Sequence, residues 1–305
     1  MGRHLFLAEV TVRGHRIRDL TSAAPCSGPP TFLELVAESD NRGVPFPNVE
    51  GKHAHEAMFG PQDFIGYLKE HGLWEEFPVP DGVVLFYQRW FLNKVVDNEI
   101  AEGRLQTHRV PASLLSFHLV ACGKATIGLS GGFGIGSPAA TAVMEELIAV
   151  GVDKFVAIGT AGALQKNLQI GNIVICDRAI RDEGVSHHYV APAKYAHPTT
   201  SLTQRLKDQF TRQGQAFHAG TTWTVDAPYR ETVEELKQYQ KEGVLTVDME
   251  AAALASVAEY RGVQFAAAFA VSDSLADLVW DPQFRSTEVA RGLDLLYSGA
   301  VAALL

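Results

Sequence analysis

The stretch that decides the fold is the glycine-rich segment SGGFGIGSP at residues 130–138, which joins a predicted strand to a predicted helix. Its glycines let backbone N–H groups turn toward an anion, and the N-terminus of the following helix adds positive potential. Pro138 suits the first helical turn, and Gly151 suits the stop after the helix. The segment therefore predicts an anion-binding loop at the carboxyl end of a strand.

The spacing of these glycines argues against a dinucleotide-binding loop. In a G-x-G-x-x-G pattern that begins at Gly132, Ser137 occupies the place of the third glycine. The next strand along the chain ends in Gly159 and Thr160, and not in the acidic residue that would hold a ribose hydroxyl of the cofactor. We therefore expect no nicotinamide cofactor.

Strands and helices alternate on both sides of this segment, from Gly82 to the end of the chain. Strands are predicted at residues 83–87, 117–121, 125–130, 155–158, 173–180, 216–224 and 263–271. Helices are predicted at residues 91–100, 138–150, 202–213, 232–240, 249–260 and 289–304. This alternation predicts an α/β domain whose mixed sheet is covered on both faces.

The first 81 residues differ in composition from the rest of the chain. Prolines are frequent between positions 25 and 80, and periodic apolar segments are few, apart from one short helix expected at residues 61–71. We expect residues 1–81 to form an irregular extension that packs on the core or is partly disordered. The 305-residue length allows one or two domains, and residues 82–305 are expected to form a single catalytic domain.

Composition and charge exclude several classes of protein. The chain is 47% hydrophobic and 20% charged, which is near the globular average and far from disordered or collagen-like chains. The formal net charge of −9 argues against a nucleic-acid partner, because such proteins neutralise phosphates with a basic face. Cys26, Cys122 and Cys176 are too widely spaced for a disulfide framework, so we expect the reducing cytoplasm.

No segment has the features of a membrane span or of a signal peptide. The longest apolar run, residues 262–272, has the length of a strand, and the first 18 residues contain no continuous apolar stretch. We expect no membrane partner.

Three further motifs place polar groups at strand ends. Thr160 lies between two glycines after a strand, which is where open α/β sheets bind ligands, and Asp273 follows the last apolar strand. Glu250 enters an alanine-rich helix, where a buried carboxylate is costly unless it finds donors, so it is a candidate ligand. Asp248 fits equally well as an acid stabilised by the helix N-terminus.

Metal binding and serine hydrolysis find little support. His53 and His55 have the spacing of a metal pair but lie in the irregular extension without a carboxylate motif, so we predict no metal site. The sequence contains no G-x-S-x-G motif.

The ordered combination of motifs resembles one known family. The motifs are GFGIGSP at residues 132–138, IGTAGAL at 158–164, GNIVI at 171–175, VDMEAA at 247–252 and VSD at 271–273. In this order they resemble the purine and uridine phosphorylase family, nucleoside phosphorylase family 1. Residues 181–189 and 226–232 look like its uridine phosphorylase-like branch. The resemblance implies the three-layer α/β/α nucleoside phosphorylase fold with a central mixed sheet. It also implies a homo-oligomer, as a dimer or a trimer of dimers.

The resemblance implies that phosphate displaces a base from C1′ of a nucleoside through an oxocarbenium-like state, with phosphate as co-substrate and no other cofactor. The implied site residues are Thr160, Arg89, Gly132 and Gly134 for phosphate, Met249 and Glu250 for ribose, and Arg230 and Asp273 for the base. Glu250 and Asp273 are the implied catalytic residues. Glu250 favours positive charge on the sugar, and Asp273 can protonate the leaving nitrogen.

Two departures from the family pattern keep alternatives open. Ala157 stands where the family has an arginine, and residues 85–89 keep only the final arginine of a glycine-aspartate-proline-x-arginine loop. A missing guanidinium removes roughly 1.5–3 kcal/mol per charged hydrogen bond. A phosphate-independent nucleosidase and a catalytically silent nucleoside- or nucleotide-binding module are therefore the alternatives. Asp273 points to purines and Arg230 to pyrimidines, so the base stays open.

Overall fold

The fold is built on one mixed β-sheet, seen in a computed structural model that describes residues 46–109 and 116–305. Residues 46–305 form one compact unit. Residues 1–45 of the expected N-terminal extension lie outside the described residues. The described strands are β1 (Gly82–Phe86), β2 (Leu105–Arg109), β3 (Ser116–Cys122), β4 (Ala125–Gly131), β5 (Lys154–Ala163), β6 (Ile173–Asp182), β7 (Tyr195–Ala196), β8 (His218–Val225), β9 (Thr246–Asp248), β10 (Gln264–Ser274) and β11 (Asp281–Pro282).

Helices follow most of these strands and lie where the sequence predicts them. The described α-helices are α1 (Pro61–Glu70), α2 (Arg89–Ala101), α3 (Ser137–Ala149), α4 (Thr200–Arg212), α5 (Val233–Lys241), α6 (Ala251–Arg261) and α7 (Thr287–Leu304). The α/β expectation is confirmed. Among the described residues, no helix combines the length and the apolar character that a membrane crossing requires.

Alternating side chains of the strands build a core on each face of the sheet. In β1, Val83 and Leu85 pack with α1, α3 and α6 on one face, whereas Val84 and Phe86 pack with α2, α4 and α7 on the other. Both faces of β1 are therefore buried, which explains why its sequence is a continuous apolar run and does not alternate with polar residues.

The strand order brings four parallel strands together at the centre of the sheet. β4, β1, β5 and β10 are neighbours in that order, and each pair is parallel, so their carboxyl ends share one edge. A ring also closes beside them, because β10 pairs with β6, β6 with β8, β8 with β9, and β9 with β5. The sequence did not predict this closure, since the pairing of distant strands leaves no local signal.

Several elements differ from the sequence expectations. β2 and β9 were not predicted, because β2 has a single apolar residue, Leu105, and β9 has only three residues. Helix α6 begins at Ala251, two residues later than predicted, so Met249 and Glu250 are not helical. Helix α1 confirms the short helix predicted at residues 61–71, and its Ile65 and Leu68 are buried in the core.

Close packing at one glycine joins α7 to the sheet. Gly171 adopts a left-handed φ of 80°, and a Cβ added there would lie 2.6 Å from the carbonyl oxygen of Glu288. Its N–H donates to the carbonyl of Val271 in β10. A side chain at this position would therefore push α7 away from the strand that it covers.

We expect Gly171→Ala to lower the free energy of unfolding by about 2–4 kcal/mol, because left-handed strain adds to a backbone clash. The matched control is Gly214→Ala, where φ is 66° but a Cβ would meet nothing within 4 Å. The control should lose only about 1 kcal/mol. Urea unfolding measures both changes, and equal losses would contradict the role given to the close contact.

Candidate functional site

A cavity of about 800 Å³ lies at the shared carboxyl edge of the central strands. The residues that follow β1 and β4, and those at the ends of β5 and β10, line this cavity. Ligands bind at this edge in α/β sheets, because the loops after the strands meet there. The cavity is the candidate site, and the residues predicted for it can be located within it.

The four residues predicted to bind phosphate all line one part of this cavity. Thr160 accepts a hydrogen bond from Gln88 Nε2 to its Oγ1 at 2.9 Å, and Arg89 Nη2 donates to the carbonyl of Gly132 at 2.6 Å. Gly132 and Gly134 have left-handed φ values of 73° and 108°, which a residue with a side chain adopts only with strain. The loop after β4 is thus held against the start of α2.

Two residues next to this part of the cavity were missed in the sequence. Tyr87 packs so closely over Gly159 that a Cβ on the glycine would lie 2.4 Å from the tyrosine ring. The Tyr87 hydroxyl and Gln88 Oε1 are buried and have no hydrogen-bond partner among the described residues. Ala157, where the family has an arginine, is fully buried within β5 and contributes no charge.

Asp248 lines the cavity and fixes the backbone beside it. Its carboxylate accepts hydrogen bonds from the hydroxyls of Thr222 and Thr224 at 3.1 and 2.8 Å, and from the backbone N–H groups of Glu250 and Ala251 at 2.8 and 2.7 Å. The helix-N-terminal position that the sequence allowed for Asp248 is therefore observed. These bonds turn the chain from β9 into α6 and leave Met249 and Glu250 facing the cavity.

Glu250 is a buried carboxyl group at the cavity wall. Its Oε1 accepts the backbone N–H of Gly136 at 2.7 Å, which ties the start of α3 to the start of α6. Burial, and secondarily the negative charge of Asp248, raise the pKa of Glu250 to about 8. A group of this kind accepts hydroxyl donors and changes its charge near neutral pH.

Asp273 lies at the other end of the cavity with both oxygens occupied. Ser272 Oγ donates to Oδ1 at 2.7 Å, and Trp280 Nε1 donates to Oδ2 at 3.0 Å. Trp280 and Phe284 line the same wall and are neighbouring rings with centroids 6.2 Å apart. Both oxygens of Asp273 thus have a donor within the protein.

The structure separates Arg230 from the other predicted residues. Arg230 is exposed at the end of the short turn Pro228–Arg230, and it is not among the residues that line the cavity. Its neighbours Tyr229 and Glu231 do line the cavity. The family resemblance implies only an arginine in this segment, so Tyr229 and Glu231 were not predicted from the sequence.

The charges around the cavity are unevenly divided. Among the described residues, Arg89 is the one cationic side chain in the lining, and the acidic ones are Glu231, Asp248, Glu250 and Asp273. No group of three or more His, Cys, Asp or Glu side chains suited to a metal occurs within residues 46–109 and 116–305.

Comparison with known proteins identifies the family. A family model described as Phosphorylase superfamily matches residues 96–294. The chain is 32% identical over 142 residues to the guanosine phosphorylase of Halorubrum lacusprofundi, covering 47% of this chain and 59% of that protein. It is 31% identical over 147 residues to the uridine phosphorylase of Thermococcus kodakarensis, covering 43% and 52%. The matched segment thus spans less than two thirds of these relatives' own length.

Solved structures share the fold. The chain resembles a purine nucleoside phosphorylase of Toxoplasma gondii, solved in complex with immucillin-H, with a TM-score of 0.66 and 20% identity over 74% of this chain and 90% of that one. It also resembles the uridine phosphorylase of Vibrio fischeri, with a TM-score of 0.58 and 24% identity over 74% and 91%. These likenesses confirm the nucleoside phosphorylase-like fold.

The raised pKa of Glu250 predicts a pH-dependent stability. The folded protein keeps the proton on Glu250 up to about pH 8, whereas the unfolded chain releases it near its usual 4.5. Between these values the wild type should lose up to about 1.4 kcal/mol of unfolding free energy per pH unit as the pH rises. Glu250→Gln, which cannot ionise, should lack this loss.

Urea unfolding at pH 5, 6.5 and 8 measures this difference. The exposed Glu234→Gln is the matched control and should follow the wild type at each pH. Parallel stability curves for Glu250→Gln and the wild type would show that Glu250 is ionised in the folded protein.

Proposed function

The chain belongs to the phosphorylase superfamily, and on that premise we propose that it is an enzyme that cleaves the N-glycosidic bond of a nucleoside. Phosphate attacks C1′, and the products are the free base and ribose or deoxyribose 1-phosphate. One observation carries the proposal. Thr160 with Arg89, Glu250, and Asp273 line one cavity of a size suited to a small molecule.

The glycine loop and Arg89 form the proposed phosphate end. The Arg89 guanidinium lines the cavity beside Gly132, and Thr160 supplies a hydroxyl there. The start of α3 lies at the end of the same loop, so its free N–H groups add positive potential. One guanidinium, one hydroxyl and backbone donors would hold the phosphate.

Met249 and Glu250 form the proposed ribose site between the two ends. Glu250 has one oxygen on the Gly136 N–H, so the other is available to the sugar hydroxyls. When it is ionised, Glu250 also stabilises the positive charge that develops on the sugar as the glycosidic bond breaks. Glu250 lies at the start of α6, and its side chain is hydrogen-bonded to the backbone at the start of α3. Its carboxyl group therefore needs little movement during the reaction.

The base would lie against the aromatic wall near Asp273. Trp280, Phe284 and Tyr229 line this end and offer flat apolar faces for a base. Asp273 is the base-end residue that the resemblance implies. Arg230 stays a predicted base ligand from sequence, without a place in the cavity lining.

A second candidate function is a nucleosidase in which water replaces phosphate. The charge around the cavity supports it, because an anion would find few cations there. A single cation faces four acidic side chains, and Ala157 is buried where the family has an arginine. Phosphorolysis would need a second cation at the phosphate end. We propose that the protein is a cytoplasmic homo-oligomer in which a neighbouring subunit supplies this cation.

Incubation of the purified protein with purine and pyrimidine nucleosides, with and without phosphate, tests the proposal. Phosphorolysis predicts base release that requires phosphate and yields a sugar 1-phosphate. Release at the same rate without phosphate would establish the nucleosidase. Binding without release from any nucleoside would overturn the proposed activity and support the silent binding module.

We expect Thr160→Val to raise KM for phosphate about 10- to 100-fold, because it removes one hydrogen bond to an anion, worth roughly 1.5–3 kcal/mol. The KM for the nucleoside should change little. Steady-state kinetics with each substrate varied in turn measure the effect. The control is Thr211→Val, which alters an exposed threonine of α4 that does not line the cavity. An equal rise in both KM values would mean that Thr160 does not contact phosphate.

A further inference from the structure

The base end of the cavity contains two carboxyl groups in different environments. Asp273, at the end of β10, accepts one hydrogen bond on each oxygen, from Ser272 and from Trp280. Both of its oxygens are therefore already engaged by donors of the protein, and neither is free for a ligand.

Glu231 is the second carboxyl group in the cavity lining. It is partly buried, and it lies close enough to Asp273 for the two charges to interact. Glu231 directly precedes Thr232, the N-cap residue of α5. There, Thr232 N–H donates to Glu235 Oε2 at 2.9 Å and Glu235 N–H donates to Thr232 Oγ1 at 3.3 Å. This reciprocal cap fixes the backbone next to Glu231.

The surroundings of Glu231 keep a proton on it near neutral pH. Burial, then the negative charge of Asp273 from β10, and then that of Glu235 from α5, raise the pKa of Glu231 to about 7. The other ionisable groups in the described lining are Arg89, Asp248, Glu250, Tyr87 and Tyr229. Two carboxyl groups whose environments differ in this way commonly divide the acid and base roles of a site.

We propose that Glu231 is the general acid that protonates the leaving base, and that Asp273, whose oxygens accept hydrogen bonds from Ser272 and Trp280, is a positioning residue beside it. This inference rests on the proposed cleavage of a nucleoside. It applies equally when phosphate or water is the nucleophile, because both reactions expel the same base.

The step balances with groups that the site contains. The C1′–N bond breaks, and its electron pair moves into the base. The Glu231 carboxyl O–H gives its proton to a ring nitrogen or carbonyl oxygen of the base, leaving Glu231 as a carboxylate. An oxygen of phosphate or water forms the new bond to C1′. Water releases a proton to solvent as it bonds, and solvent returns a proton to Glu231 after the base departs.

The pH dependence of kcat on a nucleoside distinguishes the two carboxyl groups. The wild type should lose activity as the pH rises above about 7, because Glu231 then loses its proton. Glu231→Gln should have a kcat about 100- to 10,000-fold lower at pH 6 and should lack this fall. Asp273→Asn should keep the fall but show it at lower pH, since a negative charge beside Glu231 is gone.

A leaving group that needs no proton gives a second readout. The probe is 4-nitrophenyl β-ribofuranoside, whose phenolate leaves as a stable anion. Glu231→Gln should retain most activity on this probe while losing it on nucleosides, and Glu250→Gln should lose activity on both. Glu231→Asp should restore part of kcat with the pH fall, and Glu234→Gln, an exposed residue of α5, should match the wild type on both substrates.

The outcomes separate this inference from the proposed function. If the wild type releases no base from any nucleoside, the proposed function fails. If the wild type is active but Glu231→Gln has unchanged kcat and pH profile, only the role of Glu231 fails. It also fails if Asp273→Asn abolishes the fall that Glu231→Gln retains, or if Glu231→Gln loses both substrates equally. Melting temperatures of each variant establish that a loss is not caused by unfolding.

Discussion

The site depends on the buried carboxylate of Asp248. An unpaired carboxylate in this position would be very costly, yet four donors from Thr222, Thr224, Glu250 and Ala251 satisfy it. Two of these donors are backbone N–H groups at the start of α6, so the same bonds that stabilise the charge also set where the helix begins. The negative charge in turn helps raise the pKa of Glu250. One satisfied charge thus joins the ring of strands, a helix and the cavity wall.

A second constraint is the division of charge along the cavity. Arg89 and neutral donors lie at the end near the glycine loop, whereas Glu231 and Asp273 lie at the end near Trp280. The two ends of the cavity therefore offer opposite electrostatic surroundings to a bound molecule. The chain has a net charge of −9, yet it has a local region of cationic and N–H donors at the strand ends.

Sequence reasoning worked well where a residue follows an apolar strand. Thr160 and Asp273 lie near the carboxyl ends of β5 and β10, and the glycine loop follows β4. Prediction of the apolar strands therefore directs all three toward one edge of the sheet. It worked less well for Glu231 and Trp280. Glu231 precedes a polar helix, and Trp280 lies in an irregular segment, so neither has a local pattern that distinguishes a cavity wall from an exposed loop.

By itself, the sequence determined the α/β class, the order of the helices and main strands, and the family, because apolar periodicity and short motifs are local properties of the chain. Only the tertiary structure decided the closure of five strands into a ring, the later start of α6, and the side chains that face each other across the cavity. It also decided the surroundings of each carboxyl group, which depend on residues far apart in the chain. Burial raises the pKa of Glu231 and of Glu250, whereas Ser272 and Trp280 each donate a hydrogen bond to Asp273.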